Sequence, residues 1–235
     1  MEGRSGLVLF CANVAGHFFS PNDPADLAGR LKVVLDEIER LSPDVACIQE
    51  LYSLGFAGLT YSAERAAFVA QVASLGFSSA SSPTPWFGMD AGLLILSKSG
   101  LENVQSLRFA QQDGLFGSKG ALRAKVCGSS LVVVCCHLSW KESSASQLSE
   151  LREFASDADV VCGDFNRALS GRDVGLHFGN CAVCSLHAPT HDDGGNYDHV
   201  FVRKEMKTQN ARIIELKMAD GSRVSDHRCI ECTIE

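Results

Sequence analysis

Apolar runs of strand length recur along the chain and alternate with stretches of helical period. Residues 6–13 read as a first strand. Leu27, Leu31, Val34, Leu35, Ile38 and Leu41 then recur three and four apart, which predicts a helix that Pro43 stops. Asp23 is its expected cap, with Pro24 at the first helical position. Residues 44–49 read as a short apolar strand. A second helix is predicted over 62–75, with Phe68, Val69, Val72 and Leu75 inward. Strands follow at 92–97, 122–126 and 131–137, the last two joined by a turn at Gly128-Ser129-Ser130. A third helix over 144–155 carries Leu148, Leu151 and Phe154, and strands at 160–163, 197–202, 213–217 and 229–234 complete the pattern. No repeat is present, and no linker rich in Pro, Gly and Ser divides the chain. The expectation is an α+β fold, a two-sheet sandwich with helices outside, in a single domain over 1–235.

Hydrophobic residues make up 46% of the sequence, enough for a globular core. The net charge of −7 weakens the case for a protein that grips nucleic acid mainly through its phosphates, which calls for a basic surface. It leaves a nuclease open, because active-site carboxylates themselves add negative charge. The longest apolar runs, such as 131–136, are strand-sized and well short of a spanning helix, and the N-terminus has no secretory pattern. A cytoplasmic monomer without an integral membrane segment is expected. Ten cysteines without a secretory signal read as free thiols, and Cys11, Cys47, Cys135, Cys136 and Cys162 fall in or beside apolar strands. Two C-x-x-C pairs, Cys181 with Cys184 and Cys229 with Cys232, have four-ligand zinc spacing. Cys229 and Cys232 lie in a predicted strand, however, where positions three apart face opposite sides, so buried thiols are expected there instead.

The polar residues that close the strands carry the chemistry. Glu50 follows Val45-Ala46-Cys47-Ile48-Gln49, and a carboxylate ending so apolar a strand must reach water or a cation. Mg²⁺ takes one or two carboxylates and keeps positions for substrate oxygens. Asn13 ends the first strand. Gly163-Asp164-Phe165-Asn166 follows an apolar run, and alternation sends Asp164 and Asn166 to one side, where together they can orient a water and hold a phosphate oxygen. His137 closes 131–137. Near the C-terminus, Ser225-Asp226-His227 sets a carboxylate beside an imidazole, and Asp198 of Tyr197-Asp198-His199 is a candidate to accept a hydrogen bond from His227 and raise its basicity. Taken singly, each is an ordinary turn, cap or strand-end residue. Spread over the whole chain at strand ends, they suggest one converging site.

Together Asn13, Gln49-Glu50, His137-Leu138, Gly163-Asp164-Phe165-Asn166, Tyr197-Asp198-His199 and Ser225-Asp226-His227 resemble the endonuclease/exonuclease/phosphatase superfamily, in its order and rough spacing. The resemblance implies the deoxyribonuclease I-like fold, a four-layered α/β/β/α sandwich of two mixed β-sheets flanked by helices. It implies Mg²⁺, with Mn²⁺ as a substitute, held by Glu50 with Asn13 close by, and Asp226 near the metal or helping to position it. Asp164 and Asn166 would align the nucleophilic water and the phosphate, and Asp198 would orient His227. His137 would hydrogen-bond a phosphate oxygen or protonate the leaving group. His227 is the first choice for the base and Asp164 the competing one.

Ala91-Gly92-Leu93-Leu94-Ile95-Leu96-Ser97-Lys98 resembles a strand shared by many members. Ser118-Lys119-Gly120-Ala121-Leu122 looks most like the neutral sphingomyelinase branch, with Lys119 a candidate phosphate contact. The expected activity is thus a phosphodiesterase acting on a phospholipid head group, with peripheral membrane contact left open: Trp86-Phe87 is expected to pack under a loop, and an exposed apolar tip that touches lipid is the alternative. The alternative is a nuclease or nucleotide-directed phosphoesterase, favoured if Lys119, Arg123, Lys141, Arg167 and Arg172 gather at the site mouth. A non-catalytic binding domain is the third reading, and the intact polar set argues against it.

Overall fold

In a computed structural model, the described residues are 6–15, 27–112, 118–140, 143–169, 173, 178, 181–183 and 188–235. Strand β1 (Leu7–Asn13) leads to helix α1 (Leu27–Leu41), β2 (Val45–Gln49), and the short strands β3 (Leu54–Phe56) and β4 (Leu59–Tyr61). Helix α2 (Ala63–Ser74) precedes β5 (Ser78–Ser81), β6 (Phe87–Met89), β7 (Leu94–Ser97), β8 (Leu101–Arg108), β9 (Gly120–Val126) and β10 (Val132–His137). Helix α3 (Ser143–Phe154) is followed by β11 (Val160–Asp164), β12 (Cys181–Val183), β13 (Asp198–Arg203), β14 (Thr208–Ile214) and β15 (Cys229–Ile234). The expected helix cap at Asp23-Pro24 lies outside the described residues.

Two six-stranded mixed sheets form, ordered β14-β15-β1-β2-β7-β5 and β12-β13-β11-β10-β9-β8, with a small third sheet ordered β4-β3-β6. Alternation in the central strands divides the core into layers. Leu9, Cys11, Val45, Cys47 and Ile95 of the first sheet meet Leu122, Val133, Cys135, Cys162 and Val200 of the second. On the first sheet's outer face, Phe10, Ala46, Ile48 and Leu94 pack under Leu31, Val34, Ile38 and Phe68 of α1 and α2. On the second sheet's outer face, Val134, Cys136, Val161 and Phe201 pack under Leu148 and Leu151 of α3. Burial on both faces explains why these strands read as continuous apolar runs. The four-layered sandwich is as the sequence predicts. No helix among the described residues is long and apolar enough to cross a membrane.

The departures are at the periphery. Strands β3, β4, β5, β6, β8 and β12 were not anticipated, and the 213–217 strand lies earlier, as β14 (Thr208–Ile214). Both β8 and β14 are edge strands with no buried residue, β8 exposed along most of its length, and each carries an irregularity in its pairing, so neither shows a clean alternation. The cysteines follow the packing argument. Cys229 belongs to the layer under α1, Cys232 to the layer between the sheets, and Cys181 packs beside the α3 layer, so these three cannot share a metal. Cys184 lies outside the described residues.

One glycine fixes the centre of the second sheet. Gly163 holds φ at +144°, and a Cβ there would stand 2.0 Å from the Cys136 carbonyl oxygen of the paired strand. Gly163→Ala should destabilise the protein by about 2–4 kcal/mol, read from denaturant unfolding of the metal-free form. An unchanged midpoint would contradict the close approach of β10 and β11.

Candidate active site

Strand polarity gathers the polar ends on one edge of the sandwich. Asn13 and Gln49 pair at the ends of the parallel strands β1 and β2, which places Glu50 just beyond. His137 pairs with Asp164 at the ends of β10 and β11, Asp164 with Asp198 at the start of β13, and His137 with Gly120, so Lys119 falls at the same edge. His227 arrives at this edge two residues before β15. Two backbone features aim the Glu50 side chain. Glu50 itself sits at φ 64°, and Gly92 passes so close that a Cβ there would be 3.1 Å from the Glu50 Cα.

Glu50, His137 and Asp164 are all buried, and their ligand atoms lie within 4.8 Å of one another. His137 Nε2 is 3.5 Å from Glu50 Oε1 and 3.4 Å from Asp164 Oδ2. The Lys119 ammonium contacts the same His137 nitrogen. Asn13 bridges the carboxylates: its amide nitrogen donates to Glu50 Oε1 at 3.2 Å and to Asp164 Oδ2 at 3.0 Å. Its carbonyl oxygen accepts from the Ala15 N–H at 3.0 Å, so Asn13 sits beside the carboxylates as a positioning donor. Asn166 fixes Asp164 from the other side, through its backbone N–H at 2.7 Å and its side-chain amide at 3.1 Å. Two buried carboxylates with an imidazole between them form an oxygen-rich donor set that suits a hard divalent cation such as Mg²⁺ or Mn²⁺.

His227 stands on the opposite flank. Its Nδ1 pairs with Asp198 Oδ2 at 2.8 Å, and its Nε2 lies 3.7 Å from Asp164 Oδ2. Burial alone would lower the His227 pKa, but the Asp198 hydrogen bond and charge, joined by Asp164 and Asp226, raise it to about 10. Burial, with the Asp198 charge added, pushes the Asp164 carboxyl up to about 7, although His227 and Lys119 pull it down. At neutral pH the pair therefore keeps a proton on His227.

Asp226 does not join Glu50. It is 56% exposed, and its Oδ2 lies 3.5 Å from His191 Nε2 in a separate group with His191 and His227. Asp226 sits at a bend in the loop before β15, with its side chain outward while that of His227 turns in. The structure thus does not bring Asp226 to the Glu50 group, where it was expected. Of the basic residues, Lys119 is in the site. Arg123 is bound to Asp157 and the Phe154 carbonyl at the other end of the sheet, and Arg167 turns to Ser144 and Asp173. Lys141 and Arg172 lie outside the described residues.

Three contributors were not singled out in the sequence. Buried Thr190 accepts the Tyr197 and Asp198 N–H groups on its hydroxyl, at 2.9 and 3.0 Å, and so sets the start of β13. His191 packs edge-on against His227 at 4.7 Å, and Trp140 lies 5.0 Å from Tyr197. The only hint of them is position, in loops that follow or precede the motif residues.

A two-sheet sandwich with buried carboxylates and imidazoles at one edge defines a metal-dependent phosphoester hydrolase of deoxyribonuclease I-like architecture. The profile of the Endonuclease/Exonuclease/phosphatase family matches residues 11–227, and the chain belongs to that family. Members of the family are metal-dependent hydrolases of phosphoester bonds, and this protein is an enzyme of that kind. No curated protein matches the sequence. Among solved structures, it resembles D. rerio TDP2 complexed with single-strand DNA product, with a TM-score of 0.74 at 18% identity over 99% of this chain and 100% of that one. It also resembles Staphylococcus aureus beta toxin, with a TM-score of 0.74 at 16% identity over 96% and 99% of the two chains. The human Nocturnin catalytic domain with bound sulfate gives 0.67 at 17% identity over 98% and 93%. At such identities these likenesses establish the fold.

The Asp198 contact is testable. In the metal-free protein the His227 ring should remain imidazolium at pH 7.5 and lose its proton only near about 10, followed by nitrogen NMR. In Asp198→Asn that titration should move down toward the ordinary histidine value, because the charge holding the proton is gone. A ring already neutral at pH 7.5 in the native protein would contradict the pairing.

Proposed function

We propose that the protein is a Mg²⁺-dependent phosphodiesterase that attacks a phospholipid head group at a membrane surface. The observation that carries the lipid assignment is the small β4-β3-β6 sheet. Five of the seven large hydrophobic residues exposed among the described residues lie on or beside it, namely Phe56, Leu59, Tyr61, Trp86 and Phe87. Phe56 and Phe87 meet edge-on at 5.6 Å, and Trp86 adjoins Phe87. Neither 54–63 nor 78–89 contains a charged residue. The sheet begins four residues after Glu50, and Asp90 at its end is tied into the body by buried Arg65 and by the Ser53 N–H. An uncharged aromatic sheet fits the interfacial layer of a bilayer, where amphipathic rings gather and head-group phosphates lie. Nucleic acid would call for cations along such a surface.

A divalent ion held by Glu50 and Asp164, with His137 beside them, would neutralise charge on the phosphate as the transition state forms. Asp164 is the base in this reading. Asn13 and Asn166 hold the carboxylate in place beside the phosphate, and a bound cation keeps it ionised to accept the water proton. His227, kept charged by Asp198, has no lone pair for the water proton and serves as the cation facing the phosphate. Lys119 and His137 supply further donors to the phosphate oxygens.

The sign of the pH dependence follows. Activity rises as Asp164 loses its proton, at or below about 7 because a bound cation favours the carboxylate. It falls as His227 loses its proton toward about 10. Asp164→Asn should lower kcat/KM about 10²–10⁴-fold, and His227→Gln should remove the alkaline limb while leaving the acid limb. An acid limb that disappears with His227 would return the base role to His227.

The lipid assignment has its own test. Trp86→Ala combined with Phe87→Ala should cut hydrolysis of phosphatidylcholine and sphingomyelin vesicles about tenfold or more, and spare a soluble phosphodiester. Cleavage of single-stranded DNA without vesicle turnover would replace the lipid substrate with nucleic acid.

A further inference from the structure

Beside His227, on the flank away from Glu50, an aromatic shelf has no part in the chemistry described above. Trp140, three residues after His137, is 53% exposed. It meets Tyr197 edge-on at 5.0 Å between ring centroids and an interplanar angle of 84°. His191 completes the shelf, 5.3 Å from Tyr197 and 6.4 Å from Trp140. The same His191 ring lies 4.7 Å from His227, so the shelf begins one ring away from the reacting phosphate.

Two carboxylates border these rings. Asp193 accepts the Tyr197 hydroxyl at 2.9 Å and approaches His191 Nδ1 at 2.9 Å. The Gly195 N–H and these contacts hold its pKa down at about 2, so it stays charged. Asp226 borders His191 on the other side. The His227 imidazolium, 4.7 Å from His191, is paired with Asp198 and faces Asp164, and the guanidinium groups nearby also face elsewhere. Arg223 pairs with Asp192 and with Glu215, the latter at 2.8 Å, and Arg228 reaches Asp192 and the His191 carbonyl.

An exposed tryptophan ring with half-buried aromatic rings beside it, framed by carboxylates, attracts a large, weakly hydrated cation. They repel a second phosphate, which disfavours a nucleotide chain running across the same rings. We propose that Trp140, Tyr197 and His191, with Asp193 and Asp226, form a subsite for a quaternary ammonium group carried by the substrate phosphodiester. This deepens the phosphodiesterase reading and rests on it for the placement of the phosphate. It makes Trp140 and Asp193 specificity-determining residues: they select a cationic head group over a neutral one, whereas Glu50 and Asp164 act on any ester.

Tryptophan fluorescence isolates the subsite, because the chain has two tryptophans and Trp86→Phe leaves Trp140 alone. In that full-length variant, phosphocholine should quench Trp140 saturably, and inorganic phosphate should not. Tyr197→Ala and Asp193→Asn should each weaken the quenching about tenfold. In parallel, with Mg²⁺, native protein should turn over p-nitrophenyl phosphocholine faster than ethyl p-nitrophenyl phosphate, and Asp193→Asn should narrow that ratio. Quenching by phosphocholine with no turnover of either ester would keep the subsite and overturn the phosphodiesterase reading. Equal turnover of both esters without quenching would overturn the subsite and keep that reading. Quenching by a thymidine dinucleotide in place of phosphocholine would also overturn it, as would quenching indifferent to both substitutions.

Discussion

Asn13 donates from one amide nitrogen to Glu50, on its own sheet, and to Asp164, on the sheet opposite. Much of the site depends on that bridge. Two carboxylates brought together at a buried edge repel each other, and burial pushes the Asp164 carboxyl toward the neutral form. A neutral amide between them, the His137 imidazole beside both and the Lys119 ammonium make the arrangement tenable without metal. The same repulsion prepares the pair for a divalent cation, which would relieve it. Bringing the two sheets into register at this edge is therefore what turns a sandwich into a hydrolase. The tight passage of Gly163 past Cys136 and of Gly92 past Glu50 is part of how the register is held.

From that centre the function divides by distance. In the proposed mechanism the carboxylates, Asn166 and the Asp198–His227 pair serve phosphoester chemistry in general, the level at which the family match speaks. The two features on which the proposed substrate rests lie further out. The uncharged β4-β3-β6 sheet grows from the residues after Glu50, and the Trp140–Tyr197–His191 shelf stands behind His227. The two lie on different flanks of the same edge. A lipid whose phosphate reaches the carboxylates could seat its body against one and its head group against the other.

How much of this was legible in the sequence follows from burial. Strands β1, β2, β10, β11 and β15 are covered on both faces, so each reads as an apolar run whose end is marked by a polar residue. That is why Asn13, Glu50, His137 and Asp164 could be found by position. Strands β4, β5 and β8 lie at sheet edges or on the exposed small sheet, where little alternation is imposed, and they were invisible. Trp86-Phe87 was expected to pack under a loop, with an apolar tip as the alternative; both rings are exposed, and their partners Phe56, Leu59 and Tyr61 could not be joined to them without β3 and β4. Asp226 was assigned by its neighbour His227, and a one-residue change of direction separates them. Thr190, His191 and Trp140 act from loops, where no periodicity predicts what a side chain meets.

The central claim is that Glu50 and Asp164, contributed by different sheets, hold one divalent ion. Mn²⁺ binding measured by calorimetry and electron paramagnetic resonance, in native protein and in Glu50→Gln, tests it most directly. The account predicts a single ion in the native protein and an affinity lower by about 100-fold or more in the variant, with unfolding still cooperative. Equal Mn²⁺ affinity in the two proteins would contradict it.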